Sequence, residues 1–144
     1  MTTTAPPVDS RVIGLAHYAA RAVVERVLSR HGATFQQQIA LRPAVVDGPL
    51  DREALAGRVV AALKADPADA HAVIGELLAK GLLAADGESI GATDAGRALH
   101  DTVTAETAPI SARIYAGIPA EDRAVAGRVL ARITERADAE LAAM

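Results

Sequence analysis

Three side chains that could do chemistry fall within about one turn of a helix near the start of the chain: His17, Tyr18 and Arg21. His17 and Arg21 are four residues apart and share a face. An imidazole, a phenol and a guanidinium among aliphatic neighbours could bind a carboxylate or phenolic ligand. The same three could exchange protons if the chain is an enzyme, a question its sequence leaves open. The blander reading is that Arg21 pairs with Glu25 one turn on and Tyr18 simply packs. A second polar group follows at Gln36, Gln37 and Gln38. Gln38 and Arg42 are again four apart and could face the same pocket, whereas the alternative is a solvated polar face. With Phe35 beside them, the expected ligand-binding set is His17, Tyr18, Arg21, Phe35, Gln38 and Arg42.

Other chemistries are excluded or unsupported. There is no cysteine, which removes disulfides, thiolate metal sites and cysteine nucleophiles. His31 and His71 stand alone, and His100-Asp101 are neighbours that a helix points in different directions, so no metal site is expected. Phosphate-cradling glycine loops, nucleophile elbows and dinucleotide fingerprints are absent, and no cofactor is expected. No apolar run approaches the roughly 18 residues of a membrane span. The opening MTTTAPPVD has neither the basic start nor the apolar stretch of a secretion signal, so a cytoplasmic protein is expected.

The elements that must position these residues are mostly helical. At 144 residues, 51% hydrophobic and 23% charged, the chain suits one globular domain. Its aromatics are Tyr18, Phe35 and Tyr115 alone, so the core must come from Ala, Val, Leu and Ile. Residues 1–8 read as a tail. Asp9 or Ser10 caps a first helix reaching about His31, with an apolar band broad enough to meet more than one neighbour. Thr34 and Gln37 form a capping box for a second, in which Pro43 should kink the helix or end it early. A third runs from about Asp51 to Lys64. Asp66-Pro67 starts a fourth, where Ala70, Val73, Ile74, Leu77 and Leu78 make a one-sided core stripe up to Lys80. Two short strands over 82–85 and 88–91 should meet at an Asp86-Gly87 turn. Thr93-Asp94 opens a long helix to about Tyr115, kinked at Pro109. Ile118–Asp122 starts the last helix, with Pro119 near its first position.

That order is a winged helix-turn-helix flanked by long helices: mainly α, with a small two-stranded β wing. Glu76-Leu77-Leu78-Ala79-Lys80-Gly81-Leu82-Leu83 resembles the recognition-helix end of MarR-type transcriptional regulators. Thr93-Asp94-Ala95-Gly96-Arg97-Ala98-Leu99 is similar to the segment that follows the wing in that family, and Ile118-Pro119-Ala120-Glu121-Asp122 to its entry into the last helix. The similarity runs from about residue 10 to the end. It implies a homodimer built by residues 9–32 and 98–144 around a winged-helix lobe of residues 33–97. It implies binding to double-stranded DNA as a two-fold dimer, one recognition helix per major groove. It also implies a pocket for a small organic ligand between dimerisation helices and lobe, through which ligands shift the spacing of the two lobes.

The lobe's charge points the other way. From Asp47 to Arg97 there are nine acids and only five bases, Arg52, Arg58, Lys64, Lys80 and Arg97. The fourth helix should turn Ala68, Asp69, His71, Ala72, Gly75, Glu76, Ala79 and Lys80 outward, and the wing tip is Asp86-Gly87-Glu88. Base reading needs donors that reach base edges, and affinity needs cations on phosphates. Arg52, Lys64, His71 and Lys80 are the expected DNA contacts. The alternative is a MarR-like small-molecule binder, or an enzyme using His17, Tyr18 and Arg21, that no longer reads DNA.

Overall fold

The computed structural model describes residues 4–144. Of the expected tail, residues 4–8 carry no helix or strand and the first three lie outside the described residues. The elements are α1 (Ser10–Ser29), α2 (Phe35–Val46), β1 (Leu50–Asp51), α3 (Arg52–Leu63), α4 (Pro67–Ala79), β2 (Leu83–Asp86), β3 (Ser89–Ala92), α5 (Asp94–Tyr115) and α6 (Ala120–Ala143). They form two compact units, one ending at Ala108 and the other Pro109–Met144.

The helix ends follow local chemistry. Asp9, not Ser10, caps α1 by accepting from Val12 N. Thr34 and Gln37 form the reciprocal capping box of α2. Pro43 does not end α2, which continues three residues beyond it to Val46. A proline costs a helix its own N–H and crowds the carbonyl one turn back. Here the burial of Leu41 and Ala44 on either side of it holds the turn in place. Pro109 likewise sits inside α5, and the boundary between the two units falls at that residue. Pro119 is the N-cap of α6, next to its first residue as expected. Lys64 ends α3 in the left-handed conformation at φ 53, which turns the chain directly into α4.

The sheet has one strand more than expected. β1 pairs with β3 through Leu50↔Ile90 and Asp51↔Ser89, giving the order β1-β3-β2, all antiparallel. The wing hairpin also turns one residue later than Asp86-Gly87. Asp86 pairs with Ser89, so Gly87 and Glu88 form the turn. Gly87 has φ 62 and Glu88 does not share the positive φ, the pattern of a II′ turn with glycine at its first central position.

Leu41, Leu55, Ile74, Leu77, Leu83 and Ile90 are sealed together with Ala40, Ala44, Ala56 and Ala70, so α2, α3, α4 and the sheet share one core. The small Ala positions let the helices approach closely, which an aliphatic core with few aromatics requires. Val27 and Leu28 are buried at the end of α1, and Val103 on α5. By contrast, α6 buries no residue. The segment after the wing is bonded at every step. Thr93 Oγ1 donates to the Gly81 carbonyl and accepts from Gly96 N, and Arg97 holds the Ala92 carbonyl and Asp94. Gly96 is required there by packing: a Cβ on it would lie 2.1 Å from the Leu82 carbonyl oxygen.

Candidate functional site

Two candidate surfaces lie in the unit that ends at Ala108: a cavity where α1 to α4 meet, and the outer face of α4 with the wing.

The polar cluster on α1 forms around Arg21. Its Nε donates to Glu25 at 2.7 Å, the pairing that the i, i+4 spacing allows. Its guanidinium lies 4.5 Å from the centre of the Phe35 ring, a cation–π contact joining α1 to α2. His17 meets the same ring edge-on, with centroids 6.4 Å apart, and is 5.8 Å from the Tyr18 ring. Four of the six expected ligand residues are thus gathered, although Tyr18 is 69% exposed. Gln38 and Arg42 are placed differently. Gln38 Oε1 is buried without a hydrogen-bond partner, a property shared among the described side chains by His100 Nδ1. Arg42 is exposed on α2.

Beside this cluster is a cavity of about 330 Å³. Arg21 of α1, Gln36 of α2 and Asp69 of α4 are its polar lining, and Val59, Leu63 and Val73 its main apolar lining. That volume lies at the small end of ligand sites, which run from about 300 to 1,000 Å³. Of the expected ligand residues, Arg21 alone lines it. Gln36 was visible only as one of three equivalent glutamines. Asp69 was expected as an outward residue near DNA.

Asp69, Glu76 and Lys80 are exposed as expected, and each also engages a neighbour of α4. Gln37 Nε2 donates to Glu76 Oε2 at 2.9 Å, and Lys80 Nζ donates to Gln37 Oε1 at 3.0 Å and to the Gly32 carbonyl at 2.6 Å. Glu76 and Lys80 therefore face α2 and complete a network around Gln37, which is 4% exposed. Asp69 faces the cavity. The middle of the outer face is Ala68, Ala72, Gly75 and Ala79, spaced four, three and four residues apart. His71 lies at the margin of this face, where Arg52 Nε donates to its Nδ1 at 3.4 Å and Glu53 Oε1 is 3.5 Å from its Nε2.

The cations of the Asp47–Arg97 segment are all engaged within the chain. Arg52 meets His71, Arg58 pairs with Asp47, Lys80 is tied to α2, Arg97 is held by Asp94, and Lys64 is not free either. Arg52, Lys64, His71 and Lys80, the expected DNA contacts, thus all have partners. The wing tip carries Asp86 and Glu88 on either side of Gly87, both exposed. Among the described residues, no group of three or more potential metal ligands comes together and no helix is long and apolar enough to cross a membrane.

Comparison with known proteins adds the architecture. No protein-family model and no curated protein sequence matches the chain. Solved structures do. Ligand-free NadR superposes with a TM-score of 0.73 at 19% identity, covering 92% of this chain and 98% of that one. CouR from Rhodococcus jostii RHA1, bound to p-coumaroyl-CoA, gives 0.71 at 21% identity over 85% and 88%. The reduced form of MarR from E. coli gives 0.68 at 14% over 90% and 95%. At these identities the shared property is the architecture: the chain has the MarR-type winged-helix fold.

Proposed function

We propose that the chain is a dimeric transcriptional regulator of the MarR type whose DNA binding responds to a small organic ligand. The observation that carries this reading is the complete winged helix-turn-helix, with α3, α4 and the β2–β3 wing in order on one core. NadR has been solved with 4-hydroxyphenylacetate and CouR with p-coumaroyl-CoA, so the fold accommodates organic ligands. The cavity beside Arg21, together with the His17–Tyr18–Phe35 cluster, is the place on this chain for such a ligand. Gln38 and Arg42 extend the candidate set along α2.

Dimerisation is supported by apolar surface that the single chain leaves uncovered. On α1, Leu15 is 55% exposed and Tyr18 more so. On α6, Val125, Val129, Leu130, Ile133 and Leu141 are all exposed. Their burial in a partner would supply the main driving force, at roughly 25 cal/mol per Å² of apolar surface covered. In this reading, residues 9–32 and 98–144 form the dimer and 33–97 the DNA-binding lobe, and the protein acts in the cytoplasm.

A second reading is favoured by one observation, the bare outer face of α4. Alanines reach base edges only as apolar contacts to thymine methyl groups, and they offer no bidentate donor. With every cation of the segment engaged, phosphate affinity must come from breaking internal pairs. The second reading is a ligand-binding protein of this fold that does not read DNA, or an enzyme using His17, Tyr18 and Arg21. Electrophoretic mobility shift with a fragment from upstream of the chain's own gene separates the two. Specific binding of a dimer supports the regulator; binding no tighter than to unrelated DNA at low salt supports the second.

A further inference from the structure

The cavity's lining carries a charge preference that the regulator reading leaves open. We propose, building on that reading's assignment of the cavity as the ligand site, that it takes an organic cation with an apolar body, held by the carboxylate of Asp69.

The charges in the lining are unequal in availability. Arg21 is compensated by Glu25 at 2.7 Å and has its guanidinium against the Phe35 ring. An anion would have to share that guanidinium with Glu25 while facing Asp69. Asp69 has no hydrogen bond or ion pair among the described residues. It occupies the third helical position of α4, and Asp66, the N-cap, makes no side-chain capping bond either. The α4 N-terminus opposes a cation with only about half a positive charge. The full negative charge of the Asp69 carboxylate outweighs it. Gln36 adds an amide that can accept from an ammonium N–H, and Val59, Leu63 and Val73 give an apolar body its contacts. The chemistry selected is therefore an ammonium or amidinium group on a small hydrocarbon or aromatic frame.

The test uses the full chain and three probes of matched size: 2-phenylethylammonium, 2-phenylethanol and phenylacetate, titrated by calorimetry. The expected order places the ammonium about fivefold tighter than the alcohol, the size of one partly screened ion pair, and the carboxylate weakest. Asp69→Asn should erase the difference between ammonium and alcohol and leave the alcohol's affinity unchanged. Asp69 is exposed, so the variant should fold with the parent's melting temperature. In the unaltered chain, raising salt from low to physiological levels should weaken the ammonium alone. Tightest binding by phenylacetate, or an Asp69→Asn variant that keeps its ammonium preference, would overturn the proposal. DNA binding without any ligand is measured in parallel. Ammonium preference with no DNA binding sinks the regulator and leaves this site standing. DNA binding with no ammonium preference does the reverse.

Discussion

The inner and outer sides of α4 are opposites. The inner side contributes Ala70, Ile74 and Leu77 to the core, and its flank sends Glu76 and Lys80 into a network around buried Gln37. The outer side presents Ala68, Ala72, Gly75 and Ala79. One helix is thus heavily specified where it meets the protein and blank where it would meet DNA. Folding and DNA reading are separate demands on a recognition helix, and here the side-chain chemistry of α4 is committed almost wholly to the first. The same division recurs in the wing. Its base is fixed by Thr93, Gly96 and Arg97, and its tip is acidic.

If that contrast is real, substitutions on the two sides must differ in kind. Leu77→Ala, on the inner side, should cost about 3 kcal/mol in chemical denaturation, from lost burial plus a cavity. Gly96→Ala should cost about 2–3 kcal/mol, because the new Cβ collides with backbone rather than with a flexible side chain. Replacing Lys80 with Met should cost about 0.5–1 kcal/mol by removing the donor to the Gly32 carbonyl and leaving Gln37 Oε1 with Thr34 N alone. Any loss of DNA affinity in that variant should track the lost stability. Ala72→Arg, on the outer side, should change stability by less than about 0.5 kcal/mol. It should raise DNA affinity and steepen the salt dependence by about one phosphate contact. If Ala72→Arg unfolds the protein, or Lys80→Met folds as the parent does yet fails to bind DNA, the two sides have been assigned the wrong way round.

Much of the fold was legible in the sequence because its determinants are local. The Thr34–Gln37 capping box, the Asp66-Pro67 start and the stripe from Ala70 to Leu77 each need only a few neighbouring residues to act. The missing strand was not legible for the opposite reason. Leu50–Asp51 has two residues and exists only because Ser89–Ile90 lies beside it, nearly forty positions along the chain. The wing turn slipped by one because the II′ geometry places Gly first in the turn, whereas Asp-Gly was read as the turn itself.

The candidate site was only partly legible. Arg21, Phe35 and His17 were expected together and are together. A helical pattern locates residues on the flank of a helix without revealing whether another helix covers that flank. Asp69, Glu76 and Lys80 all sit on the flank of α4 facing α1 and α2. A reading of α4 alone therefore gave their exposure but not the neighbours they engage. Gln36 went unassigned because α1, α3 and α4, none of them legible from its own helix, make the rest of the cavity.

The measurement that tests the regulator most directly is DNA affinity of the unaltered chain as a function of salt, using the region upstream of its own gene and an unrelated fragment. The account predicts specific binding by a dimer at low salt. Because the cations of the lobe are already engaged within the chain, the slope of log affinity against log salt should be shallow, about 3 or less in magnitude. No preference for the upstream fragment at low salt would contradict the regulator and leave a ligand-binding protein of the same fold. A steep slope would contradict the bare-surface description of α4 and its lobe.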